Sequence, residues 1–275
     1  MNDSSLAQAI KAQLRATYNA AADHFDDPPL TLWEHCGRRT VELADVRPGQ
    51  RVLDVCCGSG ASAIPAAERV GASGYVLGID LAERLLDLAR KKAAARHLAN
   101  VAFRVGDMTR LDVAPSAFDA VACIFGLSFA PDMTTTLRAL WEAVHPGGVL
   151  SVTTYGARLF EPANTWYWEA VETERPDLRP ARFAHTAIAE PPRLAQLFRD
   201  AGATVPEIDR ETLDQAVSPE EFWTMVLGSG HRMPLDLMGA EAAGRVRSAL
   251  FDRLTHENVS SISTDVLYAR ARKPG

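Results

Sequence analysis

Cysteine is scarce in this chain: 275 residues carry four, Cys36, Cys56, Cys57 and Cys123, and no two of them are spaced as CxxC. A disulfide framework and a structural zinc centre are therefore not expected, and the four read as reduced thiols. A basic excess is lacking as well. Lys and Arg number 29 against 35 Asp and Glu, for a formal charge of -6. Nucleic acid and an anionic membrane surface are thus poor partners, and a small molecule is the better one. No apolar run is long enough to span a bilayer, and the N-terminal stretch MNDSSLAQAIKAQLRATYNA is amphipathic without the apolar block of a signal peptide. The expectation is a cytoplasmic protein with no stable membrane insertion. Repeats and low-complexity tracts are also missing.

What is present, from about residue 50, is an alternation of short apolar runs with amphipathic segments, the signature of βαβ units and a largely parallel sheet. RVLDVC predicts a first strand, Ala61 to Val70 a helix and YVLGID a second strand; the next helix is expected to bury Leu85, Leu86, Ala89 and Ala93. NVAFRVGD and FDAVACIFG predict strands three and four. Met133, Leu137, Leu140, Trp141 and Val144 recur at helical spacing up to HPGG, and VLSVTTY follows as strand five. Residues 157–190 break the rhythm with aromatics and prolines and read as an insertion over the sheet edge. PRLAQLFRDAG resumes it as a helix, with a strand near 204–212. Ser218-Pro-Glu-Glu221 has the form of a capping box opening a helix, a second helix is expected near 240–255, and TDVLYARAR reads as the last strand.

The chemistry concentrates in VLDVCCGSGASA, Val52 to Ala63. In an open parallel sheet, ligands bind beyond the carboxyl ends of the strands, and the turn after the first strand borders that crevice. Gly58 and Gly60 let a ligand approach backbone amides at a helix N-terminus. Two ligand classes compete. Gly58-Ser-Gly60-Ala-Ser-Ala63 satisfies the dinucleotide pattern GxGxxA, and Asp80 ends the second strand where a ribose-binding acid is expected. Against a pyrophosphate stands Asp54, four residues before Gly58, whose carboxylate opposes negative charge at that helix end and suits a cationic amino-acid group. Gly106-Asp107-Met108 offers an acceptor for an exocyclic amine beside an apolar wall for a purine. Cys56 and Cys57 read as small buried turn residues in preference to ligands of a soft metal or metalloid, and no metal is expected.

DVCCGSG resembles the DxGxGxG signature of class I S-adenosylmethionine-dependent methyltransferases, with Cys56 where the first glycine usually stands. The resemblance continues through GIDLAERLLDLARKKA, GDMTRL, FDAVACIFGLSF and LRALWEAVHPGG, about residues 48 to 156. It is most similar to the branch that holds ubiquinone/menaquinone C-methyltransferases and natural-product methyltransferases. The resemblance implies an α/β fold, a Rossmann-like three-layer sandwich with a seven-stranded, mostly parallel sheet and helical lid segments. It implies one domain over 1–275: an N-terminal helical lid (1–45), a cofactor-binding core (46–156), a cap insertion (157–190), and the C-terminal half of the sheet (191–275) with a helical insertion at 213–260. It also implies S-adenosyl-L-methionine as cofactor. Asp54 and the backbone of Cys56, Cys57, Gly58, Ser59 and Gly60 would hold the methionine end, and Asp80 the ribose. Leu81 would flank the adenine, Asp107 would bond its amine, and Met108 would pack on its ring after Gly106. Phe125 and Gly126 would line the crevice beside the sulfonium, and Tyr18 of the lid helix would touch the cofactor, with Phe25-Asp26 where the family's second YD-type motif would fall.

Methyl transfer from a sulfonium needs alignment and exclusion of water more than acid–base help, but a phenol or enol acceptor gains from a general base, for which histidine is the usual residue. His24, His185 and His231 are the candidate bases; His97 and His145 are expected at helix ends as structural residues. Trp33, Phe160, Trp166, Tyr167, Trp168, Phe183, Phe222 and Trp223 lie outside the sheet, which suits an aromatic or lipophilic acceptor as well as ordinary packing. A nicotinamide-dependent oxidoreductase and a non-catalytic nucleoside-binding accessory protein remain the rival readings. Homodimerisation stays open.

Overall fold

The structure, a computed structural model, describes residues 3–181 and 183–275, with side chains from residue 8 onward. Its elements in chain order are α1 (Asp3–Ala21), α2 (Leu32–Leu43), β1 (Arg51–Val55), α3 (Ala63–Val70), β2 (Tyr75–Asp80), α4 (Glu83–Ala95), β3 (Val101–Val105), β4 (Phe118–Ile124), α5 (Met133–Ala143), β5 (Val144–Tyr155), α6 (Ala163–Glu174), α7 (Pro191–Asp200), β6 (Glu207–Ala216), α8 (Pro219–Leu227), α9 (Arg232–Met238), α10 (Ala240–His256) and β7 (Ser261–Arg272). The seven strands form one sheet in the order β3-β2-β1-β4-β5-β7-β6. Strands β1 to β5 pair in parallel, and β7 runs antiparallel to β5. The strand order reverses at β1, which places the β1 turn beside the switch point where open α/β sheets bind ligands. The expected α/β, Rossmann-like sheet is thus the observed one.

Two compact units can be described separately. One gathers Leu32–Gly156, Ala184–Glu211 and Val266–Gly275; the other gathers the N-terminal segment through Thr31, Ala157–Phe183 and Thr212–Asp265. In this division α2 falls with the sheet unit and not with the N-terminal segment. Two clusters carry the sheet unit's core. Leu53, Val55, Val121, Cys123, Leu137, Leu140, Leu150, Val152, Leu194 and Phe198 fill one, and Val52, Ala63, Ala66, Ala67, Val70 and Val76 fill the other. Three alanines on α3 keep that helix slim enough to lie close over β1 and β2. A fully buried Leu or Val side chain contributes about 1.5–3 kcal/mol by leaving water, so the strand ends that carry the candidate residues rest on a rigid base.

The sequence reading is corrected at several places. HPGG does not end α5: the helix stops at Ala143, and residues 144–155 form one long strand. Phe118 pairs with Val144 and Ala120 with Val149, so the intervening His145–Gly148 stretch bulges out of register. His145 is accordingly an exposed strand residue with Nδ1 near the Pro146 carbonyl, and not a helix cap. His97 does follow the α4 C-terminus, in left-handed backbone (φ 54). Strand six spans Glu207–Ala216, later than 204–212; a strand at the sheet border with Glu, Asp and Arg along it gives little apolar signal. The aromatic insertion contains a full helix, α6, whose apolar residues Ala163, Tyr167, Trp168, Ala170 and Val171 are all buried. The Ser218 capping box is present with both of its hydrogen bonds, and Val246, Leu250 and Leu254 form the buried face of α10 as expected.

Candidate functional site

β1 ends at Val55, and the chain turns through Cys56 to Ser62 before α3 begins. Cys56 has φ 61, Gly58 φ 51 and Gly60 φ 88, all in the left-handed region that favours glycine. The cysteine therefore occupies a backbone conformation typical of the glycine it replaces, at a cost of about 1–2 kcal/mol. Its side chain is held by sulfur neighbours, with the thiol 3.5 Å from the Met108 Sδ. The turn is pinned across the sheet, because the Cys57 amide donates to the Ile79 carbonyl (3.1 Å) and the Gly60 amide to the Cys57 carbonyl (2.8 Å). A Cβ added at Gly126 would stand 2.5 Å from the Cys56 Cβ, so the segment after β4 packs flush against the turn. Replacing Cys56 with Gly is expected to leave stability within about 1 kcal/mol of the parent, since relief of left-handed strain offsets the lost thiol contacts. Val at the same position should destabilise clearly in the same urea titration.

Asp54 lies inside β1 and is 1% exposed. Its Oδ2 accepts a 2.6 Å hydrogen bond from the Ser62 hydroxyl, and the Ala63 backbone N–H also donates to it. Its Oδ1 is buried with no hydrogen-bond partner among the described residues. Burial, opposed by the Ser62 bond and assisted by the charge of Asp80, raises its pKa from 3.8 to about 7. An orphaned buried carboxylate oxygen is costly to leave unserved. A cationic ligand group satisfies it; a phosphate does not. The start of α3, where a pyrophosphate would sit, is already served by the Asp54 carboxylate.

Asp80 closes β2. Its Oδ2 accepts from the Gly58 amide (2.9 Å) and its Oδ1 from the Ala82 amide (2.9 Å). Burial raises its pKa, against the backbone bonds that lower it. The Leu81 amide donates to this carboxylate as well, and the acceptor capacity that the three backbone bonds leave, out of about four lone-pair sites, is what a ligand hydroxyl can use. Leu81 follows, half-buried. Gly106 donates its amide to the Asp80 carbonyl (2.9 Å). Asp107 accepts at Oδ1 from both the backbone and the hydroxyl of Thr109 (2.8 Å each), which fixes its carboxylate in a local turn. Met108 is buried. Ser59 is buried and takes a 3.1 Å hydrogen bond from the Lys92 ammonium.

Beyond the ends of β4 and β5 the rings of Phe125 and Tyr155 stack at 4.2 Å with 16° between planes. Trp33 stands edge-on to both, and His185 edge-on to Tyr155 at 5.9 Å. Burial lowers the His185 pKa from 6.5 to about 4, so its imidazole is neutral at neutral pH.

The sheet unit thus holds Asp54, Cys56 to Gly60, Asp80, Leu81, Gly106 to Met108, Phe125, Gly126 and His185. Tyr18, His24 and His231 belong to the other unit. There Tyr18 meets the Phe25 ring edge-on at 6.4 Å, and His24 Nδ1 lies 2.9 Å from the Asp27 carboxylate. His231 is engaged at both ring nitrogens, Nε2 by Asn164 Oδ1 (2.8 Å) and Nδ1 by the Ser229 hydroxyl (3.1 Å), with Phe160, Tyr167 and Trp168 around it. That environment is a packed core, and Tyr167, Phe160 and Phe222 are at most 2% exposed. Most of the aromatic residues of the insertion are therefore structural. Tyr155, at the end of strand five, carried no sequence signal beyond its place. Cys57 is buried and its thiol pKa is raised well above the usual value by burial, and no cluster of metal-ligating side chains occurs among the described residues. No helix among them is long and apolar enough to cross a membrane.

Residues 52–148 match the family model described as a methyltransferase domain. The chain is 33% identical over 153 residues to the aklanonic acid methyltransferase of Streptomyces sp. (strain C5), which covers 56% of this chain and 68% of that protein. It is 37% identical over 114 residues to a demethylmenaquinone methyltransferase of Listeria monocytogenes, covering 42% of this chain and 48% of that protein. The chain thus spans about half the length of this second relative. The crystal structure of the YcgJ protein of Bacillus subtilis superposes with a TM-score of 0.59 at 15% identity, over 88% of this chain and 99% of that one. This is a likeness of fold.

Proposed function

The chain belongs to the S-adenosylmethionine-dependent methyltransferases, and from that premise we propose that it methylates a small aromatic or lipophilic acceptor, using the crevice at the β1 turn for the methyl donor. S-adenosylmethionine, when bound, supplies a methyl group already activated on a sulfonium. The chain's residues then have to hold, orient and dry the reactants. One observation carries the reading: Asp54 and Asp80 form an acidic rim, with a buried carboxylate oxygen of Asp54 lacking a partner. Asp54 would face the cationic amino-acid end and Asp80 the ribose hydroxyls. Asp107 and Met108 would serve the adenine, and Phe125 and Gly126 the sulfonium side of the crevice. The names of the relatives, an aklanonic acid methyltransferase and a demethylmenaquinone methyltransferase, support a ring-bearing acceptor. The GxGxxA pattern alone favours an oxidoreductase, and the Asp54 carboxylate at the α3 N-terminus opposes it.

The pKa of Asp54 makes the proposal testable by proton counting. Its folded value is raised, from 3.8 to about 7, so its contribution to stability is complete below about pH 4 and is lost as pH rises through about 7. A ligand ammonium reverses that preference by favouring the carboxylate. Asp80 and Cys57 are the titratable neighbours that couple to it. Affinity for S-adenosylmethionine should therefore climb by up to about tenfold per pH unit between pH 5 and 7 and then level off. Calorimetry in two buffers of different ionisation enthalpy should detect proton release near pH 6.5. Asp54→Asn should flatten both. Tight NAD(P) binding with no S-adenosylmethionine binding would refute the proposal, and transfer of labelled methyl to a panel of phenols and quinols is the companion assay.

A further inference from the structure

We propose that the face of β5 and β7 beneath α2 binds one buried water molecule, anchored by the Ser151 hydroxyl and shared with the hydroxyls of Thr153 and Thr40. The site lies wholly within the sheet unit, and the inference does not rest on the methyl-transfer reading. Side chains two residues apart on a strand share a face, and the antiparallel register sets Ser151 opposite Arg270 and Thr153 opposite Tyr268. These four residues therefore mark the corners of one patch of sheet. Thr40 and Leu43 of α2 cover it, and a cavity of about 10 Å³ remains between them. A single water needs about 10–15 Å³ of such space, so the cavity is sized for one and excludes a second.

The chemistry of the lining selects the same occupant. Ser151 is 3% exposed, and its hydroxyl has no hydrogen-bond partner among the described residues, an arrangement that is costly unless something in the cavity serves it. The two larger corners direct their polar ends elsewhere. The Tyr268 hydroxyl donates to the Glu211 carboxylate (2.7 Å) and lies 3.4 Å from the Cys36 Sγ, and the Arg270 guanidinium is paired with Asp209 and Glu207. The threonines have the complementary capacity. The Thr40 hydroxyl donates its proton to the Cys36 carbonyl (2.8 Å), so in the 2.7 Å contact between the two threonines Thr153 is the donor. A hydroxyl carries one proton and two lone pairs; Thr153 thus keeps acceptor capacity, and Thr40 keeps one lone pair. A water that donates to both threonines and accepts from Ser151 makes three hydrogen bonds, about the usual number for a buried water. The Arg270 cation on the lining opposes a metal ion of the same sign. The water also joins β5 to the helix that packs on the Ala61–Ser62 stretch of the β1 turn.

A high-resolution crystal structure of the full chain tests the site directly: an ordered water should lie within about 3.2 Å of Ser151 Oγ and of Thr153 Oγ1. Ser151→Ala should lose that water, and its melting temperature should fall by about 2–4 °C, the shift that follows when one net hydrogen bond is lost from a domain of this size. The sign decides, because removing a hydroxyl that served nothing would leave stability unchanged or raise it. Magnetic relaxation dispersion of the water oxygen should count one long-lived water fewer in Ser151→Ala than in the parent. Ser151→Val, which fills the space with methyl groups, supplies the same count if Ser151→Ala does not fold. A dry cavity, an ion in place of the water, an unchanged count, or a Ser151→Ala variant at least as stable as the parent overturns the proposal.

Discussion

Asp80→Ala is expected to weaken S-adenosylhomocysteine binding at least a hundredfold in a calorimetric titration. The proposed ribose contact is lost outright, and hydrogen bonds to a charged group contribute about 1.5–3 kcal/mol each, while a hundredfold corresponds to about 2.8 kcal/mol. The variant also frees the Gly58 and Ala82 amides that the carboxylate ties down, so the turn itself loosens. Asp80→Asn keeps the shape and one acceptor and should lie between the parent and Ala, at about tenfold. Stability should fall as well, because buried amides left unpaired cost about 1–3 kcal/mol each, a loss that relief of the burial penalty on the Asp80 charge partly offsets. Parent-like binding by Asp80→Ala would remove this residue from the site.

The second large effect falls on a residue that touches no proposed ligand. Gly37 sits in the middle of α2, where glycine costs about 1 kcal/mol relative to alanine. The structure gives its reason: a Cβ there would come 2.2 Å from the Ala61 carbonyl oxygen and 2.8 Å from the Ser62 amide nitrogen. The helix backbone therefore rests directly on the turn that Asp54 and Ser62 organise. Thr40, one turn later, adds a 2.7 Å hydrogen bond to Thr153 on β5. Gly37→Val must push α2 off the turn. Overpacking of this kind costs about 3 kcal/mol or more, or roughly a 6–12 °C fall in melting temperature for a domain of this size. S-adenosylhomocysteine affinity should drop at least tenfold with it. A melting temperature within about 2 °C of the parent would mean that α2 shifts freely, contrary to the close packing observed.

These two residues mark how far the sequence can be read. Asp54, Gly58, Gly60 and Asp80 were legible because strand ends, glycine turns and a carboxylate at the next strand's end follow one another locally, with the chemistry written in their order. Cys56 was legible as a departure, and the structure supplied the missing fact that its backbone is left-handed. Gly37 was not legible, because its meaning is a contact with Ala61, 24 residues away. Tyr155 stayed hidden for a related reason: its partner Phe125 is on a neighbouring strand end, and nothing in either local pattern announces a stacked pair. The histidines show the same limit. His231 and His185 looked alike in sequence, yet one has both nitrogens engaged in a packed aromatic core and the other is an edge-on neighbour of Tyr155. The long β5 with its bulge, and β7 running back antiparallel beside it, depend on pairings that no single segment encodes.

A crystal structure with S-adenosylhomocysteine bound tests the central claim most directly. It should show the ribose hydroxyls within hydrogen-bond distance of the Asp80 carboxylate, and the amino group next to the Asp54 Oδ1 that lacks a partner among the described residues. A nucleoside bound elsewhere, with Asp80 still holding only the Gly58, Leu81 and Ala82 amides and Asp54 still unserved, would contradict it.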